Sequence, residues 1–463
     1  MPPDTSARTP WWATPLVAKL SYVACLAMIG WGAYATWRVM DSVDPPSRRF
    51  RDFYEFYSGA EALVHGKDVF SAGDLGYIYP PLLAVLLMPL VKLGISGAGA
   101  VWLAINVAML AFTVWLGGRT AAGKLGIPKA APLVGLIGFA IVADKVLGDM
   151  KMQQSNILLL GCWIIAMWGL GRHWLISGLA LGFGVSIKYL PIVALPYFGI
   201  RGRARHFVGF VVGIILWALI PAAFIGWQAN AVLWRGATGG LVSAGETDGP
   251  TAGEARVMST RGFGISITTT LIRLGDSRGL PLLGPLMAAG LMGVIFLLVW
   301  WIYRRHGQSM FVGRFGKSEA DRWPLLLVEW TGLIVMALAF SPQTNARHLS
   351  QAMPLGFLIG AVALGAPTAA ARRLAAIAGL VLFLGFALPP SIPSLQGLVT
   401  VWRMNAGSCS CMVLAWLLVV EAVLRGWDQT RKIEPSFLPS STDAENSVTV
   451  SSAMPQTPIA LAI

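Results

Sequence analysis

A small set of charged side chains in this otherwise apolar chain could do acid–base chemistry beside a phosphate group. Asp52 lies in the polar stretch FRDFYEFYSGAEALVHGKDVF, residues 50–70. A carboxylate of this kind can accept a proton from a hydroxyl group. Cations near it can hold a phosphate leaving group, because they stabilise the negative charge that grows on it in the transition state. The cations that we predict on the same membrane face are Lys188, Arg256, Arg261, Arg273, Arg347 and His348.

Several of these charged residues also have a purely structural interpretation. An aspartate at a helix start with Glu55 three residues later is typical of a capping box, in which Asp52 would bind backbone N–H groups. Lys188 ends an apolar segment and could snorkel to the aqueous boundary. His348 could cap a helix or face water. On the residues alone, the structural and the chemical interpretations both stay open.

Composition places these residues in a membrane protein. Hydrophobic residues make up 56% of the 463 residues and charged residues only 12%, whereas an ordinary soluble domain carries about 25% charge. Apolar runs such as residues 16–35 are long enough to span a bilayer as a helix. Only helices and closed barrels satisfy the backbone in lipid, and these continuous runs do not alternate as barrel strands do. The sequence therefore predicts an all-α polytopic membrane protein.

Apolar segments predict about 11 or 12 transmembrane helices. The segment 174–200 is either one long span or a tight hairpin broken at Lys188 and Pro191. We favour the hairpin, because it returns the basic residues after position 200 to the inner side, as the positive-inside rule requires. The candidate spans are 16–37, 97–117, 130–147, 155–171, 174–188, 189–200, 207–226, 283–303, 323–340, 348–365, 374–390 and 404–424.

We predict a single membrane domain over residues 1–432, with large outer loops at 38–96 and 227–282. The Ser/Thr/Pro-rich segment 433–463 is predicted to be a disordered cytoplasmic tail. The net charge of +13 does not indicate a nucleic-acid partner, because the basic residues are scattered through short loops. The four cysteines form no recognisable disulfide framework, and we predict no metal site and no cofactor.

The first outer loop is predicted to contain juxtamembrane helices. Apolar residues recur at helical spacing between positions 53 and 64, which indicates an amphipathic helix on the outer membrane surface. The apolar segment 77–90 contains Pro80, Pro81 and Pro89. Proline breaks helices, so this segment is either a re-entrant element or an ordinary helix that begins at the Pro-Pro pair. Beyond this loop, Gln154 and Asn156 open the span at 155, where amides can hydrogen-bond between helices.

Four motifs in order give the chain a family resemblance. The first outer loop carries Asp52, then spaced Tyr57, Ala60, Leu63 and Gly66, then Tyr79-Pro80-Pro81. QQSN at 153–156, SGLALGFGVSIKYLP at 177–191, and Ser341-Pro342 with Arg347-His348-Leu349 follow. In these motifs the chain resembles glycosyltransferase family 87, within the GT-C superfamily of polyprenyl-phosphate-sugar-dependent transferases. Two departures are Gln153 in place of a glycine, and GFGIS at 262–266 where that family has an Asn-Gln-Ser element.

The resemblance implies a GT-C-type helical bundle that transfers a hexose, with mannose as the first expectation, from a polyprenyl-phosphate donor. Arabinosyl and other hexosyl donors stay open. The acceptor would be a hydroxyl of a lipid-linked or cell-envelope glycan. The enzyme would lie in the inner (plasma) membrane, with its active site on the extracytoplasmic face. A transporter or flippase of a lipid-linked glycan is the alternative, and a non-catalytic assembly subunit is a third.

The resemblance also implies roles for individual residues. Asp52 would deprotonate the acceptor hydroxyl, and the sugar carbon would be inverted. The donor phosphate would be held by basic residues, and other polar residues would shape the cavity. The predicted phosphate-binding residues are Lys188, Arg347, His348 and Arg261. The predicted cavity residues are Tyr57, Tyr79, Gln154 and Asn156.

Overall fold

A computed structural model describes residues 10–74, 76–171, 173–242, 264–310, 323–389 and 392–432. Throughout these residues the regular secondary structure is helical. The prediction of an all-α polytopic membrane protein is therefore confirmed for the described part of the chain. The predicted tail at 433–463 lies outside the described residues, and so does Arg261.

The described residues form α-helices that we number in chain order. They are α1 Pro15–Met40, α2 Pro46–Phe50, α3 Asp52–Val64, α4 Pro81–Val91, α5 Gly94–Lys124, α6 Ala131–Lys151, α7 Asn156–Gly169, α8 Trp174–Ile187, α9 Ala194–Ile200, α10 Ala204–Leu219, α11 Ala222–Ile225, α12 Trp227–Val242, α13 Ile267–Asp276, α14 Leu283–Arg305, α15 Trp323–Phe340, α16 Met353–Gly365, α17 Ala369–Ala387, α18 Gln396–Met404 and α19 Gly407–Lys432.

Nine helical segments within the described ranges are long and apolar enough to cross a membrane. Each coincides with a predicted span. The three remaining predicted spans correspond to α7, α8 and the segment Leu190–Ile200, which are apolar but shorter. A 14-residue helix such as α7 is about 21 Å long, which is less than the hydrocarbon thickness of a bilayer. By length alone, these three helices reach only part of the way across.

The break between α8 and α9 falls where the sequence predicts it. Lys188 leaves the helix with extended backbone angles, φ −147° and ψ 136°. Pro191 then lies in a short 3₁₀ turn, Leu190–Val193, before α9 begins. The structure therefore contains two helical segments with Lys188 between them, and not one continuous helix.

Helices α8 and α10 pack closely through glycines. A Cβ atom on Gly178 would lie 2.2 Å from the carbonyl carbon of Gly209, and one on Gly182 would lie 2.3 Å from that of Gly213. Two Gly-x-x-x-Gly pairs face each other, which is the small-residue pattern that lets membrane helices approach. This contact fixes the position of α8, which carries Lys188 at its end.

We expect Gly182→Val to destabilise the protein, because a new side chain would meet backbone that cannot move aside. Overpacking of this kind costs about 3 kcal/mol. The control is Gly290→Val in α14, where a Cβ atom would meet nothing within 4 Å. Thermal unfolding in detergent should show a clearly lower Tm for Gly182→Val only. Equal Tm values for the two variants would contradict the glycine contact.

The predicted amphipathic helix is α3, but its apolar face packs into the protein. Phe53 and Phe56 are fully buried. Their rings lie 5.5 Å and 6.0 Å from the Trp102 ring of α5. The interpretation of this face as a membrane-surface contact is wrong, because neighbouring helices cover it. The following apolar segment forms α4, which begins at Pro81, contains Pro89 and has only 11 residues.

Candidate active site

Asp52 is the first residue of α3, and its side chain does not cap the helix. The residue at the cap position is Arg51, and no side-chain cap bond forms there. The Glu55 carboxylate instead accepts a hydrogen bond from the backbone N–H of Asp74, 3.3 Å away. The capping-box interpretation is therefore wrong. The Asp52 carboxylate forms an ion pair with Arg347, which is 295 positions further along the chain.

The loop after α6 holds the start of α3. The backbone N–H of Asp52 donates to the carbonyl oxygen of Met152, 3.2 Å away. The amide nitrogen of Gln153 donates to the carbonyl oxygen of Arg49 at 3.2 Å. Trp102 donates in turn to the carbonyl oxygen of Gln153 at 2.9 Å. These bonds join the first outer loop to the QQSN motif, so the position of Asp52 depends on both segments.

Gln153 adopts a backbone conformation that suits the glycine expected at this motif position. Its φ is +54°, in the left-handed region where glycine is at ease and other L-residues pay about 1–2 kcal/mol. A glycine at this motif position would serve the same turn without strain. Here the glutamine is buried and its side chain bonds to the first outer loop. Its contact with Arg49 offsets part of the strain.

Lys188 lies inside the protein and is held by the two predicted amides. Its Nζ donates to Oε1 of Gln154 at 2.9 Å and to Oδ1 of Asn156 at 2.6 Å. The same Nζ lies 5.4 Å from the centre of the Tyr79 ring. Lys188 is only 8% exposed, so the snorkelling interpretation is wrong. The structure thus brings together four of the predicted site residues.

A second carboxylate, Asp149, belongs to this cluster, and the sequence interpretation missed it. Its Oδ1 accepts a hydrogen bond from Nδ2 of Asn156 at 2.8 Å, and its Oδ2 accepts one from Ser350 at 3.5 Å. Asp149 lies in α6 and is 1% exposed. Its position near the end of an apolar helix could have identified it from the sequence, since an ionisable residue inside a membrane segment is by default a functional candidate.

His348 and Arg347 lie at the start of a 3₁₀ turn, His348–Ala352, that follows α15. The backbone N–H of Asn345 donates to Nδ1 of His348 at 3.4 Å. Gln351 of the same turn donates a hydrogen bond from its side-chain amide to the backbone carbonyl oxygen of Asn156 at 2.7 Å. The turn therefore contacts both Asp52 and the amides that hold Lys188.

A cavity of about 620 Å³ opens beside this cluster. One end is polar and includes Tyr79, Lys188, Asn345 and His348. Its walls are otherwise mostly apolar, with side chains from Leu333 and other residues of α14 and α15. Such a cavity can hold a molecule with a charged head and a hydrocarbon tail.

A second cavity of about 240 Å³ continues the first along α15. The two share the residues Met292, Leu333 and Met336. The second cavity ends near Glu329, a buried residue that accepts hydrogen bonds from Arg201 at 2.7 Å and Tyr197 at 3.2 Å. The Glu329 side chain is only 5% exposed.

Burial and charge act on Asp52 in opposite directions. Desolvation raises the pKa of the Asp52 carboxyl above its usual value, and the positive charges of Arg347, Lys188 and Arg51 hold back that rise. The net direction is upward. A base with a raised pKa takes up a proton more readily, and the carboxylate is still 23% exposed.

One predicted cavity residue lies elsewhere. Tyr57 packs on the inner side of α3, where its hydroxyl donates to the carbonyl oxygen of Val91 at 3.4 Å, and it does not line the described cavities. Arg273 does not line the described cavities either. It donates hydrogen bonds to the carbonyl oxygens of Gly264 and Met404 at 2.9 Å and 2.6 Å. Arg261 lies outside the described residues.

The chain matches one known protein family over more than half of its length. The profile of glycosyltransferase family 87 matches residues 77–316, which is just over half of the chain. The chain belongs to glycosyltransferase family 87. The family match includes Tyr79, Gln154, Asn156 and Lys188, and it stops short of Asp52 on one side and Arg347 on the other.

Two curated relatives from Mycobacterium tuberculosis match this family 87 chain in part. One is a polyprenol-phosphate-mannose-dependent alpha-(1-2)-phosphatidylinositol pentamannoside mannosyltransferase, 25% identical over 226 residues. This match covers 46% of the chain and 51% of the relative. The other is a polyprenol-phosphate-mannose-dependent alpha-(1-2)-phosphatidylinositol mannoside mannosyltransferase, 29% identical over 192 residues, with 37% and 44% covered. The matches thus span about half the length of each relative.

Two solved structures of ArnT from Cupriavidus metallidurans are more distant from this family 87 protein. The apo structure has a TM-score of 0.41 and 15% sequence identity, and covers 86% of this chain and 77% of its own. The structure bound to undecaprenyl phosphate has a TM-score of 0.34, with the same identity and coverage.

Proposed function

We propose that this family 87 protein transfers mannose from a polyprenyl-phosphate donor to a hydroxyl of a lipid-linked or cell-envelope glycan. The observation that carries the proposal is the Asp52–Arg347 ion pair, which lies next to His348 in the chain and within the influence of the Lys188 charge. Lys188 and His348 themselves line an apolar-walled cavity. The names of the two mycobacterial relatives support the donor class.

The donor would occupy the cavity in a defined direction. Its phosphate would bind at Lys188, Arg347 and His348, because the lysine and arginine carry positive charge and the histidine ring offers a hydrogen bond. Its tail would follow the apolar walls toward Met336. The sugar carbon would then lie near the Asp52 end of the cavity.

The proposed chemistry is a single displacement. The acceptor hydroxyl oxygen forms a bond to the sugar carbon while the bond from that carbon to the donor phosphate oxygen breaks. The phosphate leaves with the electron pair, and Asp52 takes the hydroxyl proton. Attack opposite to the leaving group inverts the sugar carbon. Arg347 and Lys188 stabilise the charge that grows on the departing phosphate.

The ion pair between Asp52 and Arg347 suggests how donor binding makes the base available. While it is intact, Arg347 competes with a proton for the Asp52 carboxylate. A donor phosphate next to Lys188 offers Arg347 a second anion, and bidentate arginine–phosphate contacts are strong. We expect donor binding to draw Arg347 toward the phosphate and so free Asp52 to act as the base.

The site would lie on the extracytoplasmic face of the inner (plasma) membrane. In that orientation the basic loop that begins with Arg201, at the far end of the second cavity, faces the cytoplasm, as the positive-inside rule favours. The outer loops 38–96 and 227–282 and the inner tail 433–463 stay predictions of the sequence.

The test is a transfer assay with the full chain in liposomes. Labelled polyprenyl-phosphate mannose and a mannosylated glycolipid acceptor are added, and the products are separated by chain and head group. We expect label on the acceptor with the configuration at the sugar carbon inverted, and less label from matched glucosyl and arabinosyl donors. Movement of the donor between leaflets without any transfer would contradict the proposal and favour a transporter.

A further inference from the structure

The polar cluster contains a buried carboxylate that the proposed chemistry does not use. Asp149 is linked to Asp52 through two residues, because its partner Asn156 bonds Lys188, whose charge acts on Asp52. It is 1% exposed. A carboxylate taken out of water is costly unless its hydrogen bonds satisfy it, so its contacts indicate what it does.

Asp149 and Lys188 favour the same orientation of the Asn156 amide. An ionised carboxylate only accepts hydrogen bonds, so the NH₂ group of Asn156 must face Asp149, as its 2.8 Å contact shows. The carbonyl oxygen of the same amide then points the other way, where it accepts from Lys188 at 2.6 Å. The lysine ammonium only donates. Reversing the amide would set NH₂ against ammonium, and no hydrogen bond could form.

Two more hydrogen bonds, made by Gln154 and Gln351, help to hold the Lys188 ammonium in position. Gln154 accepts a second Lys188 proton at 2.9 Å. The side-chain amide of Gln351 donates to the backbone oxygen of Asn156 at 2.7 Å. This bond holds the backbone of Asn156 in place. An ammonium has three protons. With two of them given to Asn156 and Gln154, the third is available to a ligand in the cavity that Lys188 lines.

We infer that Asp149 is a positioning residue for phosphate recognition: through Asn156 it holds the Lys188 ammonium in place, with one N–H for the phosphate of a lipid in the cavity. The inference rests on the proposed function for the identity of that lipid. Asp149 itself does not touch the substrate. Its effect passes through two hydrogen bonds, from the Asn156 amide to the Asp149 carboxylate and from the Lys188 ammonium to the Asn156 carbonyl oxygen.

The experiment measures binding of undecaprenyl phosphate, which carries no sugar, to the full chain in detergent micelles. Asp149→Leu leaves the Asn156 amide without an acceptor, so we expect the Kd to rise at least about tenfold. Asp149→Asn keeps a carbonyl oxygen that can accept from Asn156, so we expect a smaller rise of about threefold. In the double variant Asp149→Asn with Asn156→Asp, the amide at position 149 can donate to the carboxylate at position 156, and that carboxylate can accept from Lys188. The double variant should therefore bind undecaprenyl phosphate more tightly than Asn156→Asp alone.

The controls separate positioning from folding and from the proposed function. A purely structural role would lower the Tm and the bound fraction of Asp149→Leu without changing the Kd of the folded part. An unchanged Kd in Asp149→Leu, or a double variant no better than Asn156→Asp, would overturn the inference. If Asp149→Leu does not fold, the comparison of the double variant with Asn156→Asp decides. If wild type binds the lipid in an Asp149-dependent way but transfers no sugar, the proposed function fails and this inference stands.

Discussion

Asp52→Asn is expected to lower kcat by about 10³-fold without raising the Kd for the donor. Asparagine has nearly the shape of aspartate, but its amide cannot take a proton from the acceptor hydroxyl. The loss should therefore fall on the chemical step. Transfer of labelled mannose in liposomes gives kcat, and binding of the unreactive donor phosphate lipid gives Kd.

The matched control for this variant is Glu61→Gln on the same helix. Glu61 is exposed on α3, so the change removes one negative charge from that helix without touching the cavity. We expect its kcat and donor Kd to equal those of wild type. Transfer by Asp52→Asn at more than about a tenth of the wild-type rate would remove Asp52 from the role of base, since general bases contribute far more than that.

Lys188→Met is expected to raise the donor Kd by about 30-fold or more, and to lower kcat as well. The change removes a buried charge that the account assigns to the donor phosphate, and losing one partner of a buried charge pair costs about 2–5 kcal/mol. Methionine keeps an unbranched chain of similar length, so the side chain can still fill the space between Gln154 and Asn156. The same liposome assay, run at several donor concentrations, separates the two effects.

Lys92→Met is the control for charge. Lys92 is exposed at the end of α4, so its loss changes the net charge of the protein equally. We expect donor affinity and rate to stay at their wild-type values. A Lys188→Met protein that folds, elutes as wild type and binds the donor with unchanged affinity would contradict the assignment of Lys188 to the phosphate.

The membrane helices could be predicted from the sequence because lipid imposes a simple demand. A backbone in hydrocarbon must bond to itself, so each long apolar run becomes a helix. The break at Lys188 followed from a charge and a proline. The helices outside these runs, such as α12, α13 and α18, were not predicted from the sequence.

The site was predictable in its residue types and less so in its contacts. The motif positions of Lys188, Gln154 and Asn156 predicted polar neighbours, and the structure joins them directly. The amphipathic pattern of α3 showed that one face must be covered, but periodicity cannot tell lipid from protein as the covering material. Asp149 was missed because the end of an apolar helix was interpreted as a loop.

The proposed reaction requires Asp52 to act as a base, and its surroundings set the pH at which it ionises. Burial raises the pKa of this carboxyl, and the neighbouring Arg347 charge opposes the rise. Because the base must be ionised, kcat/KM for the donor should fall as the pH drops through a pKa above the ordinary aspartate value of about 3.9. Neutralising Arg347 removes an opposing charge, so the fall should begin at a higher pH.

The most direct measurement is the pH dependence of kcat/KM for the donor in wild type and in Arg347→Gln. We predict an acid limb above the ordinary aspartate range in wild type, and the same limb moved to higher pH in the variant. A wild-type rate that stays constant down to the ordinary aspartate range, or a limb at the same pH in both proteins, would contradict the role of Asp52.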